Sequence, residues 1–189
     1  MDEGHERRLT SANPLGPRGP CARVRPLPLL AAALLLAGCA APSPPPPEGA
    51  PTWSFTDVDG ATHSRDAPPG NATVLFFMAT WCSTCRSKAP VLAAVHADYA
   101  ARGVRFYSLD FDASETPAQI RAWQEAYRHP WPHGVDPALS VQRTFGVTSQ
   151  SSVVLLDGAG RVAERWGYGQ VAEPALRAAL DRVLAAESS

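Results

Sequence analysis

Two cysteines, Cys82 and Cys85, stand three residues apart in the segment Trp81-Cys82-Ser83-Thr84-Cys85. Thiols at that spacing can close on each other, contribute to a metal site, or work as nucleophile and resolving group. The β-forming apolar run Thr73–Met78 precedes them, and Val91, Leu92, Val95 and Tyr99 follow at helical spacing. The pair therefore sits where a buried strand hands over to a helix. At a helix N-terminus the unpaired amide N–H groups and the macrodipole favour a thiolate at Cys82. Residues three apart share a helix face, so Cys85 lies close enough to close a disulfide. Zinc would need two further ligands, and there is no second cysteine pair. A merely structural bridge over so short a loop would stabilise little. His129 and His133 are four apart, but Pro130 and Pro132 between them break any helix. They read as surface-loop histidines, and no metal site is expected.

The elements around the pair read as a mixed α/β domain. Asp59-Gly60 is a tight-turn dipeptide between Trp53–Val58 and Ala61–His63, so a hairpin opens the domain. The helix after the cysteines stops at Gly103, and Val104–Asp110 is the next strand. Thr116-Pro117 opens a second helix carrying Ile120, Trp123 and Tyr127. Trp131–Pro137 reads as irregular loop and Leu139–Phe145 as a short helix. Ser152–Asp157 and Arg161–Trp166 form a hairpin around Gly158 and Gly160, and Val171–Ala186 is a closing amphipathic helix. Strand–helix–strand followed by helix–hairpin–helix predicts a mixed central sheet with helices on both faces.

The N-terminal quarter is a different material, holding 11 of the 19 prolines before Thr52. Leu27–Ala37 is an apolar run behind Arg18, Arg23 and Arg25, too short to span a bilayer but suited to the hydrophobic region of a secretory signal. Its end, Leu36-Ala37-Gly38-Cys39, resembles the lipobox of bacterial lipoproteins, which implies acylation of Cys39 and removal of residues 1–38. The alternative is an ordinary cleavage site that a cysteine happens to follow. The polar stretch before the signal is long, and a start near Val24 would leave a signal of normal size. Residues 39–51 are proline-rich and read as a tether, with a reach of roughly 37 Å in extended polyproline form. Residues 52–189 then form the folded domain. Without residues 1–38 the chain keeps 12 basic and 15 acidic residues, against 17 and 18 in the whole. That slightly acidic balance gives no footprint for nucleic acid. Cys21 leaves with the signal and Cys39 takes the lipid, so Cys82 and Cys85 pair outside the cytoplasm.

Together with Ala79-Thr80 before the motif and Ala89-Pro90 after it, the segment resembles the active site of membrane-tethered TlpA/ResA-type thioredoxin-like proteins. The resemblance runs from about Trp53 to the C-terminus. It implies a thioredoxin-like fold and thiol-disulfide exchange with protein thiols and disulfides, without cofactor. Cys82 would attack and Cys85 resolve, Trp81 would shield the pair, Ser83 and Thr84 would flank it, and Ser151 would contact the substrate chain. It further implies a monomer in the cell envelope, a membrane electron donor, and a reductase as in cytochrome c maturation. Peroxiredoxins carry Pro-x-x-x-Thr-x-x-Cys, which neither cysteine has. Copper-handling Sco-type proteins, the alternative on the same fold, space their cysteines by three residues rather than two.

Two departures from the family pattern stand out. The family places a cis-proline before the strand Val153–Leu156, where this chain has Ser151; a cis loop, the favoured reading, would suit proline at 151, whereas a trans loop would be destabilised by it. The family glutamate three residues after the second cysteine is here Lys88, the sole lysine. Leu75–Phe77 on the preceding strand are apolar, so no carboxylate near Cys85 is legible. A lysine turned toward the pair would favour thiolate and make the couple more oxidising; a solvated one would not.

Overall fold

The computed structural model of the chain describes residues 49–66 and 70–188. The expected signal, Cys39 and most of the tether lie outside the described residues.

Among the described residues, seven strands form one sheet: β1 (Ser54–Asp57), β2 (Thr62–Ser64), β3 (Ala72–Met78), β4 (Val104–Asp110), β5 (His133–Val135), β6 (Ser152–Asp157) and β7 (Val162–Trp166). Their order is β2-β1-β5-β4-β3-β6-β7. β3, β4 and β5 run parallel, whereas β6 is antiparallel to β3 and β7 to β6. Among the described residues, four α-helices complete the fold, α1 (Ser83–Tyr99), α2 (Pro117–Ala126), α3 (Ser140–Thr144) and α4 (Glu173–Glu187), with a 3-10 turn, Ala100–Arg102, after α1. All seven residues of β3 are buried, as their β-branched and aromatic content requires of a central strand. Its side chains alternate between two cores. Val74, Phe76 and Met78 pack with Leu92, Val95, Leu176 and Leu180 of α1 and α4. Leu75 and Phe77 pack with Trp53, Phe55, Val141 and Phe145 on the other face.

Local chemistry explains the helix starts. Thr116 and Gln119 form a reciprocal capping box with Pro117 in the first turn of α2. At α1 the cap is Cys82 itself, in extended conformation, its sulfur accepting from the Cys85 N–H at 3.0 Å.

The region expected to be loop at Trp131–Pro137 contains β5. Its three residues pair parallel with β4, Ser108 opposite His133, and antiparallel with β1, Thr56 opposite Val135. So short a strand between prolines has no periodicity of its own; the two neighbouring strands create it. Gly134 is needed there because a Cβ would fall against the Phe55 ring. β5 thus fastens the opening hairpin to the sheet.

The parallel and antiparallel relations bring four segments to one edge of the sheet. β3, β4 and β7 all end there, and β6 begins there. The loops after β3, β4 and β7 and the residues before β6 are therefore neighbours.

Candidate active site

Cys82 and Cys85 are joined by a disulfide, with Cα atoms 5.2 Å apart. Both are buried, Cys82 at 3% exposure and Cys85 at 0%. Because Cys85 is one turn into α1 and points into the core, only Cys82 lies near solvent. The Cys85 N–H aimed at the Cys82 sulfur is one of the orphan donors of the helix start, so it stabilises negative charge on that sulfur once the bond is opened.

Trp81, Ser83 and Thr84 adjoin the pair and reach solvent. The Trp81 ring is 56% exposed and donates from Nε1 to Asp112 Oδ2 at 2.9 Å. Ser83 is exposed. The Thr84 hydroxyl meets the Tyr168 hydroxyl at 2.7 Å. Lys88 is half-buried, and no described carboxylate forms an ion pair with it.

Carboxylates do stand beside the motif, although none was legible there. The Glu115 carboxylate accepts from the Thr80 N–H at 2.8 and 3.1 Å and from the Thr80 hydroxyl. Asp110, at the end of β4 opposite Met78 of β3, is 2% exposed. Burial first, and then its hydrogen bond and repulsion with Glu115, push its carboxyl up to about 7. Asp112 goes the other way. Hydrogen bonds from Ser114 and then from Trp81 hold its carboxyl below the usual range. One loop, residues 110–115, thus holds the turn that presents Cys82 through Thr80 and Trp81. The signal that could have found it was the parallel pairing of β3 with β4, which places the ends of the two strands side by side.

Ser151 is fully buried, and its carbonyl accepts from the Gly169 N–H at 3.1 Å. Its φ is +59°, which proline, locked near −65°, cannot adopt. The expectation that proline suits this position is therefore corrected. The Ser151 hydroxyl is also buried without a hydrogen-bond partner among the described residues. Ser151→Pro is expected to destabilise the oxidised protein by about 3 kcal/mol or more. Ser151→Gly is expected to stabilise it by about 1 kcal/mol, through relief of the left-handed backbone and of the orphaned hydroxyl. Thermal unfolding of both variants checks the pair of signs.

His129 and His133 are not surface residues: they are 4% and 0% exposed. The prolines break the helix but turn the chain inward, where the His129 ring stacks on Trp131 at 4.0 Å between centroids. His129 Nε2 lies 3.1 Å from the Ala89 carbonyl of α1, so that nitrogen carries the proton. Nδ1 then accepts from His133 Nε2 at 3.2 Å. Burial is the main cause that lowers both rings, to about 4 and about 3, and keeps them neutral.

Residues 47–175 match the AhpC/TSA family. The chain belongs to that family. Among AhpC/TSA relatives, the thiol-disulfide oxidoreductase ResA of Bacillus anthracis is 28% identical over 116 residues, covering 61% of this chain and 66% of that protein. The chain therefore spans just under two thirds of that relative's length. The thiol:disulfide interchange protein HelX of Rhodobacter capsulatus is 30% identical over 132 residues, covering 69% of this chain and 67% of HelX. The fold of this AhpC/TSA chain is thioredoxin-like: a putative DsbE of Chlorobium tepidum superposes with a TM-score of 0.64 at 22% identity, over 71% of this chain and 94% of that one.

Proposed function

We propose that the chain is an extracytoplasmic thiol-disulfide oxidoreductase that exchanges disulfides with protein substrates through Cys82 and Cys85. The observation that carries this is the redox pair closed at the N-terminus of α1, with the Cys85 N–H directed at the Cys82 sulfur. The similarity to the thiol-disulfide oxidoreductase ResA and to the thiol:disulfide interchange protein HelX supports it.

In the reducing direction, the Cys82 thiolate attacks one sulfur of a substrate disulfide. A mixed disulfide forms and the substrate's other sulfur leaves as thiolate. Cys85 then loses its proton and attacks the Cys82 sulfur, releasing the second substrate thiolate. Two electrons pass to the substrate, and the chain is left with the Cys82–Cys85 disulfide. A dithiol donor at the membrane restores the reduced pair. Reductase is the favoured direction, serving protein thiols such as those of cytochrome c maturation. A reduction potential below about −200 mV supports that direction, and one near −120 mV overturns it in favour of oxidation.

The same reading places the protein at the membrane through a lipid on Cys39, at the end of Leu36-Ala37-Gly38-Cys39. Among the described residues no helix is long and apolar enough to cross a membrane. Cys39→Ser is expected to move the protein out of the membrane fraction. A full-length chain that stays with the membrane would make the apolar run itself the anchor.

A further inference from the structure

Among the described residues, Trp81 and Tyr168 are the two exposed large hydrophobic side chains, at 56% and 51%. They are 87 positions apart in sequence, yet both belong to the edge of the sheet where the disulfide lies. Trp81 adjoins Cys82 and is tied toward β4 through Asp112. Tyr168 follows β7, on the far side of β3 from β4 in the strand order, and is tied by its hydroxyl to Thr84, inside the redox motif.

The loop that carries Tyr168 is built to sit there. Gly169, at φ +63°, lies so near the motif that a Cβ on it would meet Thr84 Cγ2 at 2.9 Å. Its N–H is held by the Ser151 carbonyl, and the Gly167 N–H by the Gln170 side chain at 3.1 Å. Tyr168 is therefore fixed before any substrate arrives. An exposed ring already held by a hydrogen bond loses little rotamer freedom on being covered, and what it gains is removal of apolar surface from water.

We propose that Tyr168 is a specificity-determining residue: with Trp81 it brackets the reacting sulfur and selects polypeptide substrates with an aromatic or large apolar side chain beside the cysteine. This rests on the thiol-disulfide exchange proposed above and names the substrate class of that site. The carboxylate rimming the bracket, Asp112, is engaged by Trp81 and Ser114, so it orients the Trp81 ring instead of standing as a free acceptor for the substrate.

The test uses the reduced protein and three disulfides. One peptide disulfide has phenylalanine beside its cysteine, a second has serine there, and hydroxyethyl disulfide serves as a small reference. Wild-type kcat/KM is expected to favour the phenylalanine peptide. Tyr168→Ala should lower kcat/KM for that peptide about ten-fold, mainly through KM, and leave the small disulfide within about two-fold. Tyr168→Phe keeps the ring and should retain most of the preference, which separates docking from the Thr84 hydrogen bond. Equal losses on peptide and small disulfide would place Tyr168 in the thiol chemistry and overturn the proposal, as would an unchanged preference in Tyr168→Ala. A wild-type protein that reacts with none of the three disulfides would instead overturn the exchange activity itself, and this inference with it.

Discussion

Cys85→Ala is expected to accumulate as a covalent adduct with its protein substrate, whereas Cys82→Ala forms none. The asymmetry follows from position. Cys82 is the N-cap of α1 and receives the Cys85 N–H, so its thiolate is the stabilised one; Cys85 is wholly enclosed in the core. Without Cys85 the mixed disulfide at Cys82 has no internal thiol to release it. Without Cys82 the remaining thiol cannot reach a substrate, and exchange should fall on the order of a thousand-fold or more. Non-reducing electrophoresis of cell extracts reads the adduct, and mass-mapped alkylation of the reduced protein reads the order of reactivity. Faster labelling of Cys85 than of Cys82 would reverse the roles.

The second large effect is on stability against pH, where buried groups of opposite sign compete. His129 and His133 titrate at about 4 and about 3 in the folded chain, against 6.5 when unfolded. The unfolded chain takes up their protons first, so stability is lost as pH falls below 6.5. Asp110 titrates at about 7 when folded and 3.8 when unfolded. Its proton is held by the folded state, so its contribution is complete at low pH and is lost as pH rises through about 7. Two groups oppose one, and stability should peak close to pH 7. Between pH 7 and pH 4.5 the loss should be about 2 kcal/mol, because Asp110 offsets part of the cost of the histidines. In Asp110→Asn the amide can still donate to Glu115 but no longer takes up a proton. That variant should lose roughly 5 kcal/mol over the same interval. Denaturant titrations at the two pH values, followed by tryptophan fluorescence, measure both. Parallel acid limbs for the two proteins would show that Asp110 is ionised throughout.

What could be read from the residues, and what could not, divides along a physical line. Continuous or periodic apolar runs carry their own signal, and β3, β4, α2 and the β6–β7 hairpin stand where their patterns put them, within a residue or two at their ends, while α1 starts where expected but gives way at Tyr99 to a 3-10 turn, Ala100–Arg102, before Gly103. The Cys82–Cys85 pair was legible for the same reason, since strand, spacing and helix start are contiguous in sequence. β5 was not, because three residues between prolines become a strand only when β1 and β4 flank them. Nor were Glu115 and Tyr168. Their roles come from contacts 35 and 84 residues away in sequence, set by the order of strands. His129 and His133 failed differently. Pro130 and Pro132 correctly ended the helix, but a broken helix says nothing about whether the chain turns out to water or in against Trp131. Ser151 was found in place and mistaken in conformation, because the residue type does not reveal a φ of +59°.

The strand order has a consequence for how the molecule behaves in a crowd. An open sheet exposes two rows of unpaired backbone groups, and a long flat row is a template on which another chain can polymerise. Here the outermost strands are β2, three residues long, and β7, whose outward rungs include Glu164 and Arg165. Glu164 is bridged to Arg182, and Arg165 donates to the Phe145 carbonyl, so charged side chains stand along that margin instead of an apolar ribbon. The five inner strands, which hold the apolar sequences most prone to stacking, are paired on both sides. Among the described residues, fibrillar growth from the folded sheet therefore meets charged margins at β7 and a very short one at β2, and is easier after a terminal strand has unfolded.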